Sequence, residues 1–246
     1  MLYYLNMSDE DLQNQALLWV KSREGKEKLI ELFASPNSFL SESTPVTLFM
    51  AGSPGAGKTE VSKGFIKRFK QKPVRIDADE IRALCPGYNG SNSSLFQKCA
   101  DKGINILYDF CLEKNFNIIL DGTFAYGNAI QNIERSLSRN RIVDIWFIFQ
   151  DPLQAWKITK ARETEEGRMV PLDVFVKAYF KSQDNVNKAK ETFKDKISLN
   201  FILKDFGSGF EKLKVNIDRV DSHIPKSYTE ETLRSALLEL TQKNNV

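Results

Sequence analysis

The sequence holds a single histidine, His223, in 246 residues. That excludes zinc sites of the HExxH type and every multi-histidine metal cluster. Any catalysis must therefore rest mainly on carboxylates, lysines and arginines. Cysteine is scarce as well. Cys85, Cys99 and Cys111 are odd in number and irregular in spacing. They predict neither a disulfide framework nor a cysteine-rich zinc site, and they fit a reducing cytoplasm. Charge of one sign is lacking: 35 Lys and Arg against 32 Asp and Glu leave +3. So small an excess announces neither a nucleic-acid nor a membrane partner. No apolar run approaches the roughly 20 residues that a spanning helix needs. Residues 1–6 lack the basic flank of a targeting segment. The expectation is a cytoplasmic protein with no membrane partner.

What is present is alternation. Residues 8–35 read as helix, opened by Ser8 and Asp11 and carrying apolar residues at helical spacing. A loop follows from Pro36. The apolar run Val46-Thr-Leu-Phe-Met-Ala51 then reads as a buried strand. Further strands are expected at 74–76, 116–120, 142–149 and 198–204. Helices are expected at 57–70, 80–84, 93–114, 126–139, 152–166, 171–194 and 229–242. Strands alternating with helices predict an α/β fold, a parallel sheet covered by helices on both faces. Residues 1–44 stand as an appended N-terminal helical segment, and 45–246 as the main domain.

The strongest motif is Gly52-Ser53-Pro54-Gly55-Ala56-Gly57-Lys58-Thr59, which fits GxxxxGK[ST] between a strand and a helix. Its glycines let backbone N–H groups converge on phosphate oxygens, and the following helix adds its positive end. Lys58 would place a cation on the β- and γ-phosphates, and Thr59 a hydroxyl on Mg²⁺. ATP or GTP is the co-substrate these parts imply. A second constellation, Ile76-Asp77-Ala78-Asp79-Glu80-Ile81-Arg82, ends a strand, where ligands of open α/β sheets bind. A hydroxyl attacking the γ-phosphate needs a proton acceptor, and Asp79 is the candidate. The bland alternative makes Asp79 only a helix cap. A third strand ends in Asp121-Gly122-Thr123, with Asp121 placed to hold Mg²⁺; an Asp-Gly turn is its structural alternative. Finally, Arg162 and Arg168 flank Gly167 in a charged segment that also holds Lys157 and Lys160. Arginines of a lid stabilise transferring phosphoryl groups. Pairing of Arg162 with Glu166 on a solvated helix face is the competing reading.

Taken together, these motifs resemble the zeta-toxin family of P-loop kinases over about residues 44–190. The P-loop is shared with many families; the spacing from Lys58 to Asp79 and the Asp121-Gly122-Thr123 turn are more specific. The family's second motif reads Ile-Asp-Gly-Asp, then an aromatic, Arg or Lys, and His-Pro. Here Ile76, Asp77, Ala78, Asp79, Ile81, Arg82, Cys85 and Pro86 fill it. Cys85 stands for the usual histidine, and Asp121 for the usual glutamate. Phe124-Ala125-Tyr126 stands where an arginine often follows. The resemblance implies a kinase with Asp79 as proton acceptor and Asp77, Arg82 and Thr123 at the acceptor. It also implies a UDP-sugar such as UDP-N-acetylglucosamine as that acceptor, and an antitoxin protein as partner. Two other readings stay open: another small-molecule or polynucleotide 5′-hydroxyl kinase, and a non-catalytic nucleotide-binding regulator. A GTPase switch is disfavoured, because Asn187-Lys188-Ala189-Lys190 fails the base-reading Asn-Lys-x-Asp pattern.

Overall fold

Continuous apolar runs make strands that are buried on both faces, and Val46–Ala51 (β1) lies at the centre of the sheet. In the computed structural model, which describes residues 7–205 and 210–243, six strands are ordered β2-β3-β1-β4-β5-β6. The stretch 1–6 considered above lies outside the described residues. The other strands are Val74–Asp77 (β2), Ile118–Asp121 (β3), Ile142–Phe149 (β4), Ser198–Asp205 (β5) and Phe210–Lys214 (β6). The first five pair in parallel, and β6 closes one edge antiparallel to β5. The periodicity reading does not anticipate β6, whose Glu-Lys-rich sequence has no apolar run. The expected parallel α/β sheet is otherwise what the chain builds.

The helices are Asp9–Lys21 (α1), Arg23–Phe33 (α2), Lys58–Ile66 (α3), Ala78–Arg82 (α4), Gln97–Glu113 (α5), Ala129–Leu137 (α6), Pro152–Glu166 (α7), Leu172–Phe193 (α8) and Glu230–Lys243 (α9). Two apolar clusters divide along the strand alternation. Leu48, Met50, Ile119, Ile148 and Ile202 meet Val61, Phe65 and Ile66 of α3 on one face. Phe49, Ile118, Leu120, Ile145, Phe147 and Phe201 meet the larger cluster on the other. None of the described helices is long and apolar enough to cross a membrane.

Three local expectations are corrected. The single helix over 8–35 is two helices, because Ser22 turns to an extended backbone and its hydroxyl accepts from Gly25 N at 3.0 Å. Ser22 thus ends α1 and caps α2, the preference of serine for the N-cap position. The helix expected from 126 begins only at Ala129, since the chain first turns through Phe124 at φ 59°. The cysteines are not all unpaired either. Cys85 and Cys99, their Cα atoms 7.0 Å apart, form a disulfide, and Cys111 alone is free. Sequence spacing is blind to this pairing, which depends on α4 packing against the start of α5.

The α1–α2 hairpin packs on α5, and its Leu12, Ala16, Val20 and Leu29 join the larger cluster beside Ile81 and Leu107. The contact is tight at Gly103 of α5. A Cβ there would stand 2.6 Å from Ile81 Cγ2, 3.4 Å from Leu29 Cδ1 and 3.6 Å from Val20 Cγ2. Gly103 therefore lets α4, which carries Asp79, sit close against α5. Gly103→Val is expected to lower stability by about 1–3 kcal/mol, the usual scale of overpacking. A fall in the thermal midpoint would show it; a midpoint equal to wild type would mean that the contact is loose.

Candidate active site

Parallel strands deliver their C-terminal ends to one edge of the sheet, and the candidate residues collect there. β1 ends in Ala51, and the P-loop follows. Gly52 (φ 128°) and Gly55 (φ 75°) take backbone conformations that side chains rarely adopt. A Cβ on either would run into a carbonyl, that of Ile148 or of Ala155. Gly57 (φ 85°) is the left-handed residue that opens α3. Lys58 lies in the first turn and donates from Nζ to Ser53 O at 2.7 Å, folding its side chain back over the loop. Burial pulls the Lys58 ammonium down to about 8, against the attraction of Asp121. Asp79, Asp77 and Arg168 also act on it electrostatically, so the sequence-separated candidates share one small volume.

Asp77 ends β2, and its carboxylate accepts from Asp79 N at 2.8 Å, capping α4. The cap is thus Asp77, not Asp79. Burial is the main force raising the Asp77 carboxyl above its ordinary range, and Asp79 and Asp121 add to it. Asp79 is held by two guanidinium groups: one oxygen takes Arg82 Nη1, and the other takes Arg168 Nη1. Arg82 is 6% exposed and also donates to Gln97 Oε1 at 2.8 Å, while its Nε is buried without a partner. Asp121, on β3 opposite Asp77, accepts from Ser62 Oγ and from Arg75 Nη1, both at 2.7 Å. Thr123 lies just beyond; its carbonyl accepts from Gly52 N at 3.2 Å, linking that turn to the P-loop.

The lid residues divide. Gly167 ends α7 in a left-handed conformation (φ 71°), which lets Arg168 turn back to Asp79. Met169 O accepts from Ser93 Oγ at 3.3 Å and ties the turn down. Arg162 forms no ion pair with the cluster among the described residues; the Glu166 side chain, its expected alternative partner, lies outside them. Lys160 pairs with Glu163 at 2.7 Å and covers the Trp156 ring.

Arg75 was not singled out by motif. It donates to Asp77 and Asp121 at 2.7 Å each, and pairs with Glu80. Its side chain is 10% exposed. As a single polar residue in a short strand, its one sequence signal is the period-2 alternation that puts it on the face of Asp77. A cation there holds together carboxylates that would otherwise repel. The hydroxyl of Thr59 and the carboxylate of Asp121 are oxygen donors at the P-loop and beside its lysine. Such hard donors suit Mg²⁺, which keeps waters and substrate phosphates as its other ligands. Among the described residues no group of three or more metal-ligating side chains is assembled. A cavity of about 410 Å³, lined by Phe65, Arg68, Asp144 and Trp146, opens at the opposite ends of the strands, away from this chemistry.

Arg75→Met is expected to cost about 3 kcal/mol, as when one partner of a buried ion pair is removed. Without the guanidinium the Asp77 carboxyl rises further above its unfolded value. A carboxyl raised in the folded state destabilises as pH climbs past the unfolded pKa, because folding then requires proton uptake. Thermal melts should show a larger loss at pH 7 than at pH 4; an equal loss at both would remove Arg75 from the charge network.

Comparison with curated protein sequences finds no match. Solved structures do match. A chain from the PezAT chromosomal toxin–antitoxin system of the human pathogen Streptococcus pneumoniae aligns with TM-score 0.61 and 17% identity, over 98% of this chain and 96% of that one. AvrRxo1-ORF1:-ORF2 with ATP aligns with TM-score 0.56 and 15% identity, over 83% and 64%. The same pair with sulphate ions gives 0.55 and 14%, over 94% and 84%. These likenesses establish the fold. A family model described as Zeta toxin matches residues 31–205, well over half of the chain. The chain therefore belongs to the Zeta toxin family, whose kinase-like fold supports nucleotide-dependent phosphoryl transfer.

Proposed function

We propose that this chain transfers the γ-phosphoryl group of ATP or GTP to a hydroxyl of a small acceptor, a UDP-sugar such as UDP-N-acetylglucosamine. The observation that carries the reading is the convergence of Asp79 and the P-loop Lys58 in one volume, with Arg168 on Asp79. Gly52 to Thr59 cradle the triphosphate through backbone amides, and Lys58 meets its β- and γ-oxygens. Thr59 and Asp121 are the residues that would hold Mg²⁺, which neutralises phosphate charge when bound.

Asp79 takes the proton of the acceptor hydroxyl. The hydroxyl oxygen forms its bond to the γ-phosphorus as the bond from that phosphorus to the β-bridging oxygen breaks, leaving the nucleoside diphosphate. In the structure both Asp79 oxygens are engaged by guanidinium groups. A γ-phosphate competes for Arg168, so nucleotide arrival frees one Asp79 oxygen for the acceptor. Arg82 keeps the other, and together with Asp77 and Thr123 it frames the acceptor. Arg162 joins only if the lid closes further. The acceptor class is supported by the match of residues 76–86 to the family motif. An antitoxin partner is supported by the toxin–antitoxin setting of the PezAT relative. We place the protein in the cytoplasm, where nucleotide is abundant.

Asp79→Asn preserves size but removes the charge. Nucleotide binding is expected to survive, while transfer falls by roughly 10²-fold or more, the scale of losing a positioned proton acceptor. Calorimetry reads the first half, and mass detection of phosphorylated UDP-sugar the second. Loss of binding together with turnover would make Asp79 a nucleotide or metal residue instead.

Lys58 gives a pH signature. Its ammonium, drawn down to about 8 by burial, must be charged to meet phosphate. Bound phosphate favours the charged form, so the pKa rises on binding and protons are taken up. Affinity should weaken as pH climbs through 8 and beyond, up to the pKa of the complex. Calorimetry in two buffers of different ionisation enthalpy measures that uptake at pH 8. Uptake that persists undiminished in Lys58→Ala would assign it to another group.

A further inference from the structure

The proposed reaction occupies only one side of the P-loop. Asp77, Asp79 and Asp121 lie at the ends of β2 and β3, which flank β1 on one side. Lys58 faces those carboxylates. The γ-phosphate must lie there, next to the acceptor. The nucleoside end of the same molecule therefore extends the other way, over the ends of β4 and β5.

Lys204 stands at that end of β5. It lies on the α3 face, the same face as Ile202 two residues earlier. Its Nζ would be 2.9 Å, and its Cδ 3.0 Å, from a Cβ built on Gly57. The ammonium thus sits directly over the residue that opens α3, where backbone N–H groups point at phosphate. Glu60, in the first turn of α3, accepts from Lys204 Nζ at 2.8 Å and holds it in place. The Lys204 side chain is 9% exposed, whereas Glu60 is 57% exposed. The carboxylate is free to swing into solvent; the ammonium is not.

We infer that Lys204 is a second nucleotide-binding lysine, which meets the nucleoside-proximal phosphates while Lys58 meets the γ-phosphate. The inference rests on the kinase reading above. A bound triphosphate adds anionic oxygens next to an ammonium already confined by Gly57, and Glu60 gives way to them. Lys204 lies away from the acceptor side, so it contributes to binding and not to the transfer step. Nothing larger than glycine fits at position 57 without pushing the lysine away, which couples the turn to the cation.

The test uses the full chain with ATP, ADP and Mg²⁺. Lys204→Met keeps the apolar stem over Gly57 and removes the charge. Dissociation constants for ATP and ADP are both expected to rise about tenfold or more, by the same factor, as for a lost charge-assisted hydrogen bond. The turnover number at saturating ATP should stay within about twofold, since the lost interaction is uniform between ground and transition state. Lys204→Arg should restore most of the affinity. Thermal midpoints without nucleotide should be alike, because Lys204→Met keeps the buried stem and leaves Glu60 in water. Unchanged affinity in Lys204→Met overturns the inference. So does a loss confined to ATP, which would put the lysine at the γ-phosphate, or a lower midpoint with unchanged affinity. A wild-type chain that binds neither nucleotide would instead overturn the kinase reading and this inference with it; Lys58→Ala tells the cases apart, losing affinity whenever the kinase reading holds.

Discussion

Carboxylates crowded at a sheet edge repel each other unless cations lie between them. In this protein Asp77, Asp79, Glu80 and Asp121 are interleaved with Arg75, Arg82, Arg168 and Lys58. Arg75 does most of the joining. It bridges the ends of β2 and β3 through Asp77 and Asp121, and reaches α4 through Glu80. Asp121 in turn takes Ser62 of α3. Two strands, the P-loop helix and α4 are thus tied by one guanidinium and its acceptors. Arg75, Arg168 and Lys58 already have partners, so a polyanion that engages their side chains must exchange partners.

The scaffold makes that exchange local. The α1–α2 hairpin and α5 press α4 against the sheet through Val20, Leu29, Ile81 and Gly103. Asp77 caps α4 from the strand side. Asp79 is therefore fixed from both directions, while Arg168 follows a left-handed glycine at the end of α7. The carboxylate cluster is thus held by packed helices, whereas the P-loop is shaped by its glycines.

Legibility in the sequence followed locality. The P-loop was readable because its glycines and lysine act through the backbone of one short turn. β4 was readable from an unbroken apolar run, and its bounds, Ile142–Phe149, are those expected. The same locality made Ser22 readable in principle, since serine three residues before Gly25 is a capping signal, yet the continuing apolar period masked it. What escaped was non-local. Arg75 has meaning only once β2 and β3 are in register. β6 pairs through backbone atoms that carry no sequence signature. Cys85 and Cys99 meet because two helices pack. Arg162 and Arg168 looked equivalent around Gly167, and only the direction of the chain after that glycine separates them.

The departures from the family pattern follow from the same network. A shorter carboxylate at position 121 reaches less far from the strand than a glutamate would. It stays low at the sheet edge, where Ser62 and Arg75 engage it. Arg75 is then both the cause of its position and the compensation for its charge. Cys85, where the family has histidine, puts a small apolar side chain at the buried end of α4, and its neighbour is Cys99 rather than the acceptor. Neither change replaces a P-loop residue, Asp79 or Arg168. In the proposed reaction, charge moves through those three groups. The residues proposed to frame the acceptor, Asp77, Arg82 and Thr123, keep the family pattern, and the departures fall beside them, at Cys85, which meets Cys99, and at Asp121, which Ser62 and Arg75 engage.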